Sequence, residues 1–425
     1  MACMTVGTSR GGQGGRVLSL AVWGLTRAVL LLCVFKVFTV PGPDVTSDVS
    51  VIYHGWYEVF RSGSYPLDDV TWQYPPAAAL AMLSPDLLPF LEYASAFFVL
   101  VLLCDALVLG LLLYAGGRPG ARYAGAWLWV AGVPLLGPTV YARYDLMVTA
   151  VAVAALLAGV RHPRVMGALA AFGTLLKVWP VLVLVGTARG RATRRSWRAA
   201  AVTAAVLVLG SAVVLPGAFA FLTFQRDRGL EIESLGALVF HAARQFGWEG
   251  RVELRYGSME FAGPHVALVS TLALALSVLA FGWLLVWRLR ARAFAVHTPA
   301  DAAFTAVLLF TVTSRVISPQ YMVWPLGVGA VCLVFRGSRM ALPACLVLTA
   351  TGVTLLEFPL GFAHVVASDA EGVVLMAVRN GLLVAATLIA GLRLWRETVP
   401  GTRGEPASQE PVSRAGRADT PASAP

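Results

Sequence analysis

The chain has 425 residues, of which 58% are hydrophobic and 13% charged, and its mean hydropathy is +0.73. Soluble proteins carry about 25% charged residues. A water-soluble fold of this size cannot hide so much apolar surface, which excludes a soluble globular, disordered or fibrous chain. A net charge of +10 would suggest nucleic acid in a soluble protein. In an apolar chain it marks cytoplasmic loops, and no nucleic-acid partner is expected.

Apolar runs follow one another at 17–40, 93–115, 123–138, 144–160, 198–216, 263–287, 298–313, 321–335, 341–356 and 372–392. They are close to the length of about 17–25 residues that crosses a bilayer as a helix. Arg10 and Arg16 precede the first run. Val40-Pro41-Gly42 behind it is not a small-residue cleavage site, so the run reads as a retained span. Segment 165–186 is also apolar, but Lys177 and Trp179-Pro180 interrupt it. Proline removes a backbone donor and breaks or kinks a helix. If the segment crossed, Arg189, Arg191, Arg194, Arg195 and Arg198 would lie outside, against the positive-inside rule. If it re-enters as two half-helices, both its ends stay cytoplasmic. Irregular backbone at that depth is tolerated where protein buries it.

The expected fold is an all-α polytopic membrane protein with about 10–11 transmembrane helices, one of them broken or re-entrant. Both termini are then cytoplasmic, basic residues gather in cytoplasmic segments, and most carboxylates lie outside. No inverted pair of broken helices appears, which counts against a transporter. Residues 1–396 form the membrane domain, with long outer loops at 41–92 and 217–262. Such loops are where function concentrates. The segment 397–425 is rich in Gly, Pro, Ser, Ala and charge and reads as a disordered cytoplasmic tail. The cysteines at Cys3, Cys33, Cys104, Cys332 and Cys345 form no CxxC and no Cys/His cluster, so no zinc site is expected.

The first outer loop sets Asp44, Asp48, Glu58, Asp68 and Asp69 among Tyr53, Trp56, Tyr57, Tyr65, Trp72 and Tyr74. A sugar site uses such a mixture: carboxylates accept hydroxyl protons, and aromatic faces cover the apolar side of the ring. An interfacial aromatic belt with solvated acids has the same composition. Apolar positions 51, 52, 56, 59 and 60 approach helical period. They predict an amphipathic interfacial helix over 49–61, capped by Ser47 or Asp48. Arg143, Lys177 and Arg315 stand near the outer face, where a cation either meets a phosphate or is paired or snorkelling. Asp105 is a candidate partner for Lys177. Arg226 and Arg228 read as solvated loop, and Trp179 and Trp324 as interfacial anchors.

The order of these features resembles the GT-C superfamily of membrane glycosyltransferases, and within it glycosyltransferase family 87, the polyprenol-phosphate-mannose-dependent mannosyltransferases. The matching segments are Asp48-x4-Tyr53 after the first span, Tyr74-Pro75-Pro76 closing the first loop, and Tyr144-Asp145 leading a span. Gly167 through Lys177-Val178-Trp179-Pro180 follows, then Ser318-Pro319-Gln320-Tyr321 with Trp324. Together they run from about residue 17 to 395.

The resemblance implies a hexose, mannose first, taken from a polyprenyl-phosphate donor at the outer face of the plasma membrane. The acceptor is then an extracytoplasmic glycolipid or glycan. Arabinose or glucose on the same carrier is the alternative, and a lipid or small-molecule transporter is the alternative of another class. A phosphate leaves as a weak base and needs no general acid. One carboxylate takes the acceptor's hydroxyl proton, and a single displacement inverts the anomeric centre. The resemblance places that base at Asp48, with Asp44, Asp68 and Asp69 as alternatives. It places donor or substrate contacts at Tyr53, Tyr74, Arg143, Asp145, Lys177, Arg315, Gln320 and Tyr321. It implies no cofactor. Asp68-Asp69 would face the wrong side for a metal-bound cytosolic nucleotide sugar, and metal need stays open. The second loop, with its RDRGLEIES stretch, fits the family only loosely, so the acceptor stays open too.

Overall fold

A computed structural model describes residues 7–67, 69–214 and 217–401. Asp68 and the tail from 402 lie outside the described residues. Helix α1 (Gly7–Val34) leads into the first loop, which holds α2 (His54–Arg61) and α3 (Ala78–Leu83). Helix α4 (Tyr93–Gly116) returns, and α5 (Ala124–Gly132) rises again through a 3₁₀ turn, Pro134–Val140. Then come α6 (Asp145–Gly159), α7 (Pro163–Leu176) with a 3₁₀ turn Trp179–Leu184, and α8 (Arg191–Val214). The second loop carries α9 (Phe221–Asp227), β1 (Leu230–Glu231), α10 (Leu238–Arg244), β2 (Arg251–Arg255) and β3 (Ser258–Ala262). The chain closes with α11 (Val266–Arg290), α12 (Thr298–Thr313), α13 (Val323–Val334), α14 (Ala341–Leu355), α15 (Phe362–Ala367) and α16 (Ala370–Thr398).

Among the described residues, six helices are long and apolar enough to cross a membrane: Gly14–Val34, Tyr93–Gly116, Arg191–Val214, Val266–Arg290, Ala341–Leu360 and Ala370–Thr398. Helices α6, α7, α12 and α13 are shorter. Helix α13 is buried along its whole length. A helix hydrophobic all round belongs at the centre of a bundle.

Backbone contacts sort the helix ends. The Arg122 amide donates to Val334 and the Arg292 amide to Thr398, and Arg339 just beyond α13 meets Glu397 near the end of α16 at 3.1 Å, so the ends of α11, α13 and α16 meet the start of α5 at one pole. Arg118, Arg161, Arg189, Arg288, Arg336 and Arg393 belong to segments at this basic pole. Segment 165–186 doubles back, with both its ends at the basic pole. The start of α7 packs on the start of α8, where a Cβ on Gly167 would lie 2.0 Å from the Ser196 carbonyl oxygen. Lys177 at its far end reaches Asp145, the first residue of α6. The chain then returns, and Arg189 donates to the carbonyl of Leu289 at 2.7 Å, back at the basic pole.

One buried ion pair locks the first helices together. Arg27 of α1 meets Asp105 of α4 at 2.7 Å, with both side chains at most 1% exposed. Trp129 Nε1 and the Tyr141 hydroxyl donate to the same carboxylate, each at 2.7 Å, and Arg27 Nη1 donates to the Val130 carbonyl. Such a pair survives burial because its lone pairs and protons are satisfied. Asp105 is thereby taken by Arg27 and not by Lys177.

Two local expectations are corrected. Residues Asp48–Tyr53 form a π-helical turn ahead of α2, and Ser47 makes no side-chain capping bond. The wider turn shifts the buried face to Val49, Tyr53 and Trp56, leaving Val51 exposed. The second loop folds as an antiparallel sheet of order β1-β3-β2. The turn joining β2 to β3 places Tyr256 at φ 50° and Gly257 at φ 76°. Both signs suit a two-residue hairpin, and glycine takes such a φ without a Cβ penalty. Leu230, Ile232, Phe240 and Phe261 cover a small core with Val365 and Met376 of the last helices.

Candidate active site

Opposite the basic pole, a cavity of about 810 Å³ opens between the first and second long loops and the helix ends. Asp44, Asp48, Tyr74, Arg143, Lys177, Arg315, Gln320 and Tyr321 all line it. Tyr53 and Asp145 lie directly behind its wall. Both are buried, Tyr53 packing against Tyr144 with ring centres 6.2 Å apart. Asp69 does not line the cavity, although its partner Thr71 does.

Three described carboxylates of the first loop have different surroundings. Asp44 accepts from the Thr46 amide and hydroxyl at 2.9 and 2.7 Å, and from Lys36 at 2.8 Å. Burial opposes its charge, but these bonds outweigh it and hold the carboxyl below its ordinary value. Asp69 accepts from Trp56 Nε1 at 2.7 Å and from the Thr71 amide and hydroxyl. Its pKa is also lowered, burial again being outweighed by the donors. Asp48 makes one ion pair, Oδ2 to Arg143 Nη2 at 2.7 Å. Its Oδ1 accepts no hydrogen bond among the described residues. Arg143 is itself held by the carbonyls of Val45 and Ala142.

Behind this pair lies an aromatic cage. Lys177 Nζ donates to Asp145 Oδ1 at 2.7 Å. It sits 4.9–5.6 Å from the ring centres of Tyr74, Tyr144, Tyr321 and Trp324. A cation over ring faces is stabilised by their quadrupoles, more so when water is excluded. Trp324 Nε1 donates to the same Asp145 oxygen, and Tyr321 stacks on Trp324 at 3.9 Å. The break at Lys177-Val178-Trp179-Pro180 thus delivers an ammonium to the cavity wall from below. Trp179 and Trp324 are fully buried here and are not interfacial anchors.

The second loop supplies the opposite wall, and Arg228 is not the solvated loop residue its sequence suggests. The Arg228 side chain is 9% exposed and meets Glu260 at 3.3 Å. Glu231 and Glu233 are buried and line the cavity. Burial pushes the Glu231 pKa up, partly countered by Arg228 and by the Ser318 hydroxyl, which donates at 3.0 Å. Burial pushes that of Glu233 up further, with Glu357 and Glu231 adding to it. Among the described residues, no hydrogen-bond donor reaches Glu231 Oε2 or Glu233 Oε1. Arg315 donates to the carbonyls of Arg228 and Gln225 at 2.9 and 3.1 Å, and to the Ser270 hydroxyl. Lys177, Arg143 and Arg228 each face a carboxylate. Arg315 contacts carbonyls and a hydroxyl, so its charge on the wall is not neutralised by a paired acid among the described residues.

One grouping of metal-ligand spacing, His297, Asp301 and Glu397, occurs among the described residues. It lies at the basic pole, away from the cavity.

The molecule is a polytopic helical membrane protein with a carboxylate-, cation- and aromatic-lined cavity at one pole. The chain belongs to glycosyltransferase family 87, whose family model matches residues 72–319. It is therefore a glycosyltransferase acting on a sugar donor and an acceptor. No curated protein and no solved structure matches it. The matched segment contains Tyr74, Arg143, Asp145, Lys177, Arg228, Glu231 and Arg315. Asp44, Asp48 and Asp69 precede it, and Gln320 and Tyr321 follow it directly.

Proposed function

We propose that this enzyme moves a hexose, mannose first, from a polyprenyl phosphate to an extracytoplasmic glycolipid or glycan, with inversion and with Asp48 as the base. The observation that carries the reading is the contrast among the first-loop carboxylates. Asp44 and Asp69 spend their oxygens on local hydrogen bonds, while Asp48 keeps Oδ1 open on the cavity wall.

In this reading Asp48 accepts the acceptor's hydroxyl proton. The acceptor oxygen forms a bond to the anomeric carbon as the bond from that carbon to the phosphate oxygen breaks. The phosphate departs with the electron pair. Arg315 and Arg143 take up its charge through their planar forks. Lys177 in its cage lends a fixed positive edge, and Tyr74 and Tyr321 offer ring faces to the sugar. The arginine-rich pole supports a cytoplasmic placement of that end by the positive-inside rule, which sets the cavity outside, in the plasma membrane.

Incubating membranes that contain the enzyme with labelled polyprenyl-phosphate mannose, arabinose and glucose, and with a labelled nucleotide sugar, in parallel, then resolving the extracted glycolipids, tests the donor. Label transferred from the mannose carrier alone supports the reading. Transfer only from arabinose or glucose replaces the sugar, and transfer only from a nucleotide sugar overturns the donor class.

A further inference from the structure

At the basic pole a second cavity, of about 920 Å³, opens between the ends of α4 and α6, the first turns of α7, and the turns flanking α12 and α13. Its inner wall is apolar, with Leu111, Leu157 and Leu169. Its rim carries Arg118, Arg161 and Arg336, with His162 and His297. No carboxylate lines it, and none of the three arginines forms an ion pair with an acid among the described residues. Glu397 stands behind His297 at 3.7 Å and is held by Arg339 at 3.1 Å. Two of the guanidinium groups are fixed in place. Arg118 lies over the Tyr114 ring at 4.6 Å, and Arg336 Nε donates to the Ala121 carbonyl at 3.2 Å.

The hollow follows from helix length. Helix α4 has 24 residues, but α6 has 15 and α13 has 12. At 1.5 Å per residue the two short helices reach about 22 and 18 Å. A hydrocarbon core is about 30 Å thick. Their ends therefore leave an apolar recess at membrane depth, with uncompensated arginines where it meets the headgroup region. Neither half suits water or a small ion alone. An apolar recess favours an acyl chain, and three unpaired guanidinium groups favour a phosphate.

We infer that this cavity holds an anionic membrane phospholipid. Its phosphate sits among Arg118, Arg161 and Arg336, and the upper part of an acyl chain covers Leu111, Leu157 and Leu169. The site is separate from the catalytic cavity and does not depend on the identity of the sugar donor.

The test uses the full-length protein in neutral detergent with phosphatidylglycerol, phosphatidylcholine or inorganic phosphate, read by melting temperature and by the lipids retained in native mass spectrometry. Phosphatidylglycerol should raise the melting temperature and stay bound, and neither of the other two should. Arg118→Ala with Arg161→Ala should weaken retention by about fivefold for each arginine removed. Arg194→Ala with Arg195→Ala, exposed at the same pole but off the cavity, should leave retention unchanged. Leu157→Trp should fill the recess and release the lipid with every arginine still in place. Equal stabilisation by phosphatidylcholine or by inorganic phosphate overturns the inference. So does equal loss in the two double variants, or full retention in Leu157→Trp.

Discussion

Oδ2 of Asp48 and Nη2 of Arg143 lie 2.7 Å apart, tying the first long loop to the turn that starts α6. The Arg143 side chain is 10% exposed and anchored to two backbone carbonyls, whereas that of Asp48 is 30% exposed on the cavity. The arginine is the fixed partner and the carboxylate the presented one. Arg143→Ala should therefore lower kcat by about 10²-fold, the typical cost of misplacing a reacting group by an ångström. Arg143→Lys keeps the charge without the fork and should fall between. Steady-state kinetics on purified protein check this; an unchanged kcat in Arg143→Ala would reduce the pair to a helix tether.

Arg315 brings positive charge to the cavity with no acid paired to it among the described residues. Arg315→Ala should raise the KM for the lipid donor by about 10–100-fold, the range for losing a hydrogen bond to a charged group. Arg315→Lys should raise it less. Donor titration at fixed acceptor separates the two. Equal effects of both changes would show that the arginine serves only to hold the Gln225 and Arg228 carbonyls.

Asp105 predicts a purely structural loss. Its carboxylate neutralises Arg27 and accepts from Trp129 and Tyr141. Asp105→Ala leaves a buried guanidinium without its acid, at a cost of about 3–5 kcal/mol. Thermal unfolding in detergent should show a large drop for Asp105→Ala and little change for Asp48→Ala.

Asp69 gives a pH signature. Its folded pKa is lowered below an ordinary value of 3.8, burial being outweighed by hydrogen bonds from Thr71 and Trp56. A depressed carboxyl contributes stability that is fully present above its unfolded pKa and is lost as pH falls through the folded one. Melting temperature should therefore fall below about pH 4 in the wild type, and less steeply in Asp69→Asn. Identical profiles would remove Asp69 as a contributor.

The two poles make a labelling prediction. Arg191 and Arg251 are both exposed, at the start of α8 and in β2. In a background lacking the native cysteines, Arg251→Cys in intact cells should react with an impermeant thiol reagent, and Arg191→Cys should not. Labelling of Arg191→Cys from outside would invert the proposed sidedness.

Much of this architecture was legible in the sequence because bilayer physics writes itself into long apolar runs. The re-entrant segment followed from Lys177, Trp179-Pro180 and the arginines behind them. What stayed hidden depends on contacts between distant segments. Nothing local to Asp145 shows that Lys177, 32 positions later, will sit beside it. Trp179 and Trp324 looked like interfacial anchors because such tryptophans usually are, and their mutual stacking is a tertiary fact. The π-helical turn after Asp48 shifted the buried face by an irregularity that a helical period does not encode. The β2–β3 hairpin did leave a signal: Val252, Leu254, Met259 and Phe261 alternate around Tyr256-Gly257. That pattern predicts a folded wall beside Arg228 in place of a solvated loop.

The central claim is that Asp48 takes the acceptor's proton, and Asp48→Asn tests it most directly. Asparagine keeps the shape of the side chain and can still accept a bond from Arg143, but it cannot take up a proton. Transfer of label from polyprenyl-phosphate mannose should be measured alongside binding of the same donor. The account predicts a loss in turnover of about 10²–10⁴-fold, with donor binding retained and the melting temperature little changed. Near-normal turnover in Asp48→Asn would contradict it and move the base to another carboxylate of the cavity.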